Sequence, residues 1–260
     1  MKSRYIISAL ALMLSLGSFA QKDQLKALEM AIKNFDPTAV KNALSAAESV
    51  IGSATDQEKA QFYFLKGNAL LEMANRNLET GKNLKESAKS YQELLATEKK
   101  LGKNKYSVQA ENSLTDVKNK LVNSAIKDSD EKRFKESAEK LYDAYSLNPK
   151  DTIYLYYAAS SAVNGKEYDL ALLHYEKLKS LNYSGKGVAF YAKSIINGQE
   201  EAFPTKQDRD NSVKLKVHTD PRDEIIPSKR GEIYRNYALI LVEKGEKDKA
   251  MQAIQEAKKS

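Results

Sequence analysis

The apolar positions of this chain fall into pairs of amphipathic helices separated by short breaks. Between residues 24 and 54, Leu25, Leu28, Ala31, Ile32 and Phe35 keep one helical face. Asp36-Pro37 breaks that helix, and Ala39, Val40, Ala43, Leu44, Ala47 and Val50 resume the face until Gly52. A second pair runs from Asp56 to Lys100. Phe62, Leu65, Ala69, Leu70 and Met73 face inward from its first helix, and Leu84, Ser87, Tyr91 and Leu94 from its second. Asn75 to Lys82 lengthen its turn by about two helical turns or a loop. The third and fourth pairs are Lys118 to Asp151 and Thr152 to Gly185. The third is entered as early as Ser107, because Val108, Leu114, Val117 and Leu121 stay on one face. After Gly185 the pattern changes. Val188, Tyr191, Ile195 and Ile196 predict one more short helix, ending at Asn197-Gly198. In the charged stretch Gln199 to Lys229, Thr205 with Asp208 fits a helix cap, whereas Val213, Leu215 and Val217 alternate like a strand, and both readings stay open. A last pair occupies Gly231 to Ser260, with Tyr234, Tyr237, Ala238 and Leu241, then Ala250, Ile254 and Ala257.

The third and fourth pairs repeat each other at 34 residues. Phe134, Ser137, Leu141, Ala144 and Leu147 recur as Tyr168, Ala171, Tyr175, Leu178 and Leu181, and Leu121, Ser124 and Ala125 recur as Leu155, Ala158 and Ala159. Thirty-four residues is the period of a two-helix repeat. These residues resemble the tetratricopeptide repeat (TPR), with Asn148-Pro149 closing the third unit and Tyr183 standing where the fourth would have proline. Tyr63, Gly67 and Leu70 can be laid on the same repeat positions in the second pair. The Ala20-Gln21 junction, the Ile153-to-Gly185 unit, Arg209 to Leu215 and Ser228-Lys229-Arg230 further resemble a group of exported TPR proteins common in Bacteroidota. The resemblance implies an envelope location and a scaffolding role. The expected fold is all-α: a TPR-like superhelix (α-solenoid) of antiparallel helical hairpins over residues 21–185. A short helix and an irregular insertion follow over 186–230, then a C-terminal hairpin over 231–260.

In the TPR family, fixed positions of each first helix line the concave groove. Carried over, they are Asn119, Val122, Asn123, Ile126, Ser129 and Asp130 in the third pair, and Ile153, Tyr156, Tyr157, Ser160, Val163 and Asn164 in the fourth. Tyr156 and Tyr157 suit a peptide-binding wall, since tyrosine brings apolar area and a hydroxyl at low entropic cost. The same rings could instead pack on the neighbouring repeat. Ile153 and Tyr157 occupy places where chaperone-binding TPRs hold a carboxylate, so that partner class is disfavoured.

Residues 1–20 read as a signal peptide: Lys2 and Arg4, an apolar run from Tyr5 to Leu14, and small residues at Ser18 and Ala20. The run is shorter than the ~17–25 residues that span a bilayer. The expected product is an exported, periplasmic or envelope-associated protein starting near Gln21, with no membrane anchor. Losing Lys2 and Arg4 lowers the formal charge from +7 to +5. Lys and Glu are interleaved, as in Glu98-Lys99-Lys100, which reads as a solvated helical face rather than a nucleic-acid stripe. At 42% apolar and 30% charged, the composition fits a helical globular chain rather than disorder.

Chemistry is thin. The chain has no cysteine, which excludes disulfides and thiolate nucleophiles. His174 precedes Tyr175 on a second helix and reads as a helix-surface or groove-edge residue; neither it nor His218 has a metal-pairing partner at helical spacing. Ser184-Gly185-Lys186-Gly187 lacks the leading glycine and the hydroxyl of a phosphate loop. Asp220, Asp223 and Glu224 do not fit a calcium loop. No cofactor is expected. The expected function is a non-enzymatic scaffold that binds a partner peptide or helix in the groove. The alternative is a self-assembling subunit using the C-terminal hairpin, after which no capping helix follows.

Overall fold

The computed structural model describes residues 21–259; the signal-peptide reading of residues 1–20 lies outside them. The chain divides into two compact units at the Pro149–Lys150 junction. That boundary falls at the turn closing the third hairpin, inside the array expected to run through residue 185.

The first unit is helical among its described residues. Residues 21–34 form α1, and α2 spans Pro37–Val50. Asp36 caps α2: it is extended, accepts from the Ala39 amide at 2.7 Å, and is followed by proline at a position that has no amide to satisfy. A 3-10 turn at Ile51–Ser53 leads to α3, Asp56–Asn75. Thr55 and Glu58 close its start as a capping box, the Thr55 hydroxyl accepting from the Glu58 amide and the Glu58 carboxylate accepting from the Thr55 amide. Leu25, Leu28, Val40, Leu44, Ala47, Phe62, Leu65, Ala69, Leu70 and Met73 form one buried cluster. α4 spans Thr80–Leu101, so the lengthening seen between Asn75 and Lys82 goes into longer helices and leaves a short loop.

α3 and α4 approach closely at Gly67. A Cβ there would stand 2.6 Å from the ring of Tyr91, which is fully buried and has no room to yield. Ser87 donates to the Gly67 carbonyl at 2.8 Å and Tyr91 to Asn68 at 2.7 Å, so the contact is also polar-matched. α5, Ser107–Asp130, begins where the sequence placed it, and α6, Phe134–Leu147, returns along it. The α4–α5 corner contains a correction. Glu98, read as part of a solvated face, is buried; its carboxylate accepts from the Tyr106 and Ser107 amides and the Ser107 hydroxyl at 2.7–3.1 Å. A carboxylate at a helix start satisfies amides that have no intrahelical partner.

In the second unit, α7 (Ile153–Asn164) and α8 (Tyr168–Ser180) form a hairpin, and α10 (Arg230–Glu243) and α11 (Lys247–Lys259) another. The described residues are mostly helical, as expected, but between these hairpins lies a small three-stranded antiparallel sheet, so the chain is not wholly α. Its strands are β1 (Gly187–Ser194), β2 (Glu200–Phe203) and β3 (His218–Ile226), in the order β2-β1-β3, with α9 (Lys206–Lys214) between β2 and β3 in sequence. The stretch expected as a short helix, Val188 to Ile196, is β1 and the turn after it. Its apolar residues fit helical spacing, but Phe190, Ala192 and Ser194 share one face of the strand while Tyr191 and Lys193 take the other. Thr205 caps α9 by accepting from the Asp208 amide at 3.1 Å, and Val213 is helical, which decides the open question for the helix.

The ends of this insertion meet. Gly187 pairs with Ile226, the Lys229 amide donates to the Ser184 carbonyl at 2.6 Å, and Arg230 donates to Asn182 at 2.7 Å. α10 therefore follows α8 as if the intervening residues were a side loop. The hairpin turns support the same reading. Lys132, Lys166 and Gly245 are all left-handed, with φ of 60°, 58° and 80°. Each donates to the carbonyl three residues back, and the next residue donates to the carbonyl five back (Asp128, Ala162 and Leu241). Lys132 to Lys166 is 34 residues; Lys166 to Gly245 is 79, one period plus 45.

Candidate functional site

Within α5, the carried-over residues form an exposed stripe. Asn119, Asn123, Ile126 and Asp130 are exposed, Val122 and Ser129 are half-buried, and Val117, Leu121, Ala125 and Asp128 turn to the opposite, buried side. Asp128 anchors the end of the helix. Burial opposes its charge, but bonds from Lys140 and Arg133 hold its carboxyl below the usual range.

On α7 the residues split. Ile153, Tyr157, Ser160 and Asn164 lie at intervals of four, three and four, which places them on one stripe. Tyr157 is 47% exposed, whereas Tyr156 is 6% exposed and faces α10, its hydroxyl donating to Glu232 at 2.8 Å. Burial and the negative Glu232 both push the Tyr156 hydroxyl well above its ordinary pKa. Tyr156 thus belongs to the seam between hairpins, and a partner on this face would meet Tyr157. The seam continues along α8 and α10. Asn236 donates to the Tyr175 hydroxyl at 3.2 Å, and Tyr237 donates to Glu176 at 2.9 Å. The Lys179 ammonium lies over the Tyr237 ring at 4.4 Å. Burial, reinforced by Glu176, pushes the Tyr237 hydroxyl up to about 12.

His174 also departs from the expectation. It is 1% exposed rather than at a groove edge, and burial lowers its pKa to about 4, so it is neutral near pH 7.

The insertion carries a polar network that sequence reasoning missed. Arg209 of α9 is buried against the sheet, donating to Asp210 at 2.7 Å, Asp223 at 2.8 Å and the Arg222 carbonyl at 3.2 Å. On the opposite face Arg222 holds Glu200 through two bonds at 2.8 and 3.0 Å and Glu224 at 2.6 Å, and lies over Tyr191. His218 is bonded by Ser212 at Nδ1 and by Glu201 at Nε2, the latter at 3.0 Å. This hydroxyl–imidazole–carboxylate line ties α9, β3 and β2 together and packs edge-on to Phe203. Apart from Asp210 and Glu224, which lie one and two residues from their arginines, the partners are 6 to 22 residues apart in sequence and meet only through the fold of the insertion, so no local spacing announced them. Asp223 and Glu224 are committed to the two arginines, and among the described residues no three His, Asp or Glu side chains form a metal-type group.

Neither the protein-family models nor the curated proteins contain a match to this chain.

Proposed function

We propose that the chain is an exported, non-enzymatic scaffold of the cell envelope. Its hairpins, of tetratricopeptide type, hold a peptide or helix of a partner protein on the exposed faces of their first helices. The observation that carries this reading is a repeated one. Hairpins closed by the same turn present a stripe with an apolar centre and asparagine borders: Val122 and Ile126 with Asn119 and Asn123 on α5, Ile153 and Tyr157 with Asn164 on α7. Apolar anchors ringed by polar groups are what a peptide-binding face requires. Export rests on the sequence of residues 1–20.

The test is a pull-down from envelope extracts with the chain as bait, followed by affinities for the captured partner. An anchor truncation costs about 2 kcal/mol, so Tyr157→Ala should weaken binding roughly 30-fold while leaving the melting temperature in place. Ile126→Ala is the same test for α5. Tyr156→Ala should instead lower the melting temperature, because that ring is in the seam. Full affinity in folded Tyr157→Ala and Ile126→Ala proteins removes these faces from the mechanism.

A second reading is self-assembly through the last hairpin. It is favoured by an open apolar groove of about 310 Å³ lined by Tyr234, Ala238, Leu239, Val242, Ile254 and Ala257. Light scattering across concentrations distinguishes them: a stable oligomer supports self-assembly, a monomer the scaffold.

A further inference from the structure

The end of the inserted sheet farthest from its clamped base is built from two tight turns. The β1–β2 turn is closed by the Ser194 amide on the Gln199 carbonyl at 2.8 Å and the Gly198 amide on the Ser194 carbonyl at 2.9 Å. The α9–β3 turn is closed by Lys216 on Val213 at 3.0 Å and Val217 on Ser212 at 3.2 Å, with Lys216 left-handed. The Ile195 amide donates to the Val217 carbonyl at 3.2 Å, so the two turns form one tip. Four aliphatic side chains stand on it in solvent: Ile196 at 89% exposure, Leu215 at 75%, Ile195 at 59%, and Val217. Three exposed lysines stand among them, Lys193, Lys214 and Lys216. Of the nearby acids, Glu200 is held by Arg222 and also feels the charge of Lys193, Glu201 is bonded to His218, and Asp220 is exposed.

We infer that this tip docks the protein on an anionic phospholipid surface, the isoleucines and leucine entering the headgroup–acyl boundary and the three lysines meeting the phosphates. The chemistry matches on both counts. Shallow insertion is driven by exposed aliphatic area, and lysine reaches the headgroups while its methylene stem stays against the apolar layer. A protein partner fits less well. A specific protein interface takes roughly 800 Å² from each side and centres on aromatic or arginine anchors. The tip is a convex pair of turns with neither Trp, Tyr, Phe nor Arg between 195–199 or 214–217. This inference does not depend on the helix faces proposed above.

The absence of cysteine gives a local probe. Ile196→Cys in the full chain, carrying an environment-sensitive fluorophore, reports on the tip alone, whatever residues 1–20 do in bulk sedimentation. Glu93→Cys, at an exposed position of α4, is the control. With vesicles containing phosphatidylglycerol, the label at 196 should shift to shorter wavelength and be quenched by brominated acyl chains, and the label at 93 should not. Adding Lys193→Gln, Lys214→Gln and Lys216→Gln should raise the lipid needed for half the shift on the order of 100-fold, with an unchanged circular dichroism spectrum. No shift at 196, an equal shift at 93, an equal response to pure phosphatidylcholine, or indifference to the three lysines overturns the inference. So does a shift that soluble envelope proteins produce and vesicles do not, which would assign the tip to a protein.

Discussion

The helical hairpins and the inserted sheet solve the same problem with different materials. In the hairpins, alanine, leucine and tyrosine are buried at helical spacing: Ala69, Leu84, Tyr91 and Leu94 in one pair, Leu155, Ala159, Ala171 and Tyr175 in another. In the insertion only Ala192, Ser194 and Arg209 are buried, and β3 is exposed along most of its length. What joins its strands and helix beyond the backbone ladder is charge, Arg209 to Asp223 and Arg222 to Glu200 and Glu224, together with the hydrogen bond between His218 and Glu201. Apolar burial carries no charge for salt to screen, whereas exposed ion pairs are screened by it. The two regions should therefore respond oppositely to packing changes and to solution conditions.

The largest effect is expected from the hairpins. Tyr91→Ala removes a fully buried ring that fills the space Gly67 leaves, and also strips Asn68 of its partner. Truncating such an aromatic costs about 3–5 kcal/mol. Denaturant unfolding at low and high salt should show the same loss, because no charge is involved. A loss under about 1 kcal/mol would mean the α3–α4 contact is looser than its geometry.

The next largest concerns His174. Its folded pKa of about 4 lies below the ordinary 6.5, so between those values the unfolded chain binds a proton that the folded chain refuses. Stability is then full above pH 6.5 and falls as the pH is lowered towards 4, by about 3 kcal/mol in total. Most of that window lies above the range where carboxylates such as Glu200, held low by Arg222, begin to protonate. His174→Leu should flatten the slope of melting temperature against pH between 6.5 and 5; an unchanged slope would place the sensitivity elsewhere.

The same contrast explains what could be read in advance. The hairpins were legible because their contacts are local and periodic: Leu65, Ala69 and Leu70 announce a helix face without reference to any other segment. Even the turn residues at Lys132 and Lys166 keep the 34-residue period. The sheet was illegible because β1 finds its partner β3 some 30 residues away, and β3 itself, with Asp220, Pro221 and Arg222, lacks an apolar alternation. Such a strand is allowed at a sheet edge, where proline leaves no ladder bond unmade. Burial of charge and histidine was hidden for a related reason. Glu98 looks like its solvated neighbours Lys99 and Lys100 until the start of α5 folds over it. On α7, Tyr156 and Tyr157 are adjacent and identical in type, and only the position of α10 separates seam from surface.

The smallest expected effect is in the insertion, and it is the one that tests the contrast most directly. Each exposed ion pair adds little by itself, since two long side chains lose freedom to form it and water competes. Here, though, the exposed Arg222 cluster and the pairs that buried Arg209 makes with exposed carboxylates act on a sheet with little buried apolar area, so together they should govern how often it opens. Amide hydrogen exchange over 187–226 should be faster than in α3 and α4, as expected for a cooperative unit with few apolar contacts. Raising salt from about 0.1 M to about 1 M shortens the screening length from about 10 Å to about 3 Å. Exchange in β1 and β3 should then speed up while that of α3 and α4 stays constant. Arg222→Ala removes the bonds to Glu200 and Glu224 and the cover over Tyr191. It should reproduce most of the acceleration at low salt and leave little further response to added salt. Exchange in the strands that is as slow as in α4 and unmoved by either change would mean that Phe190, Phe203 and Ile226, half-buried as they are, hold the sheet without the charges.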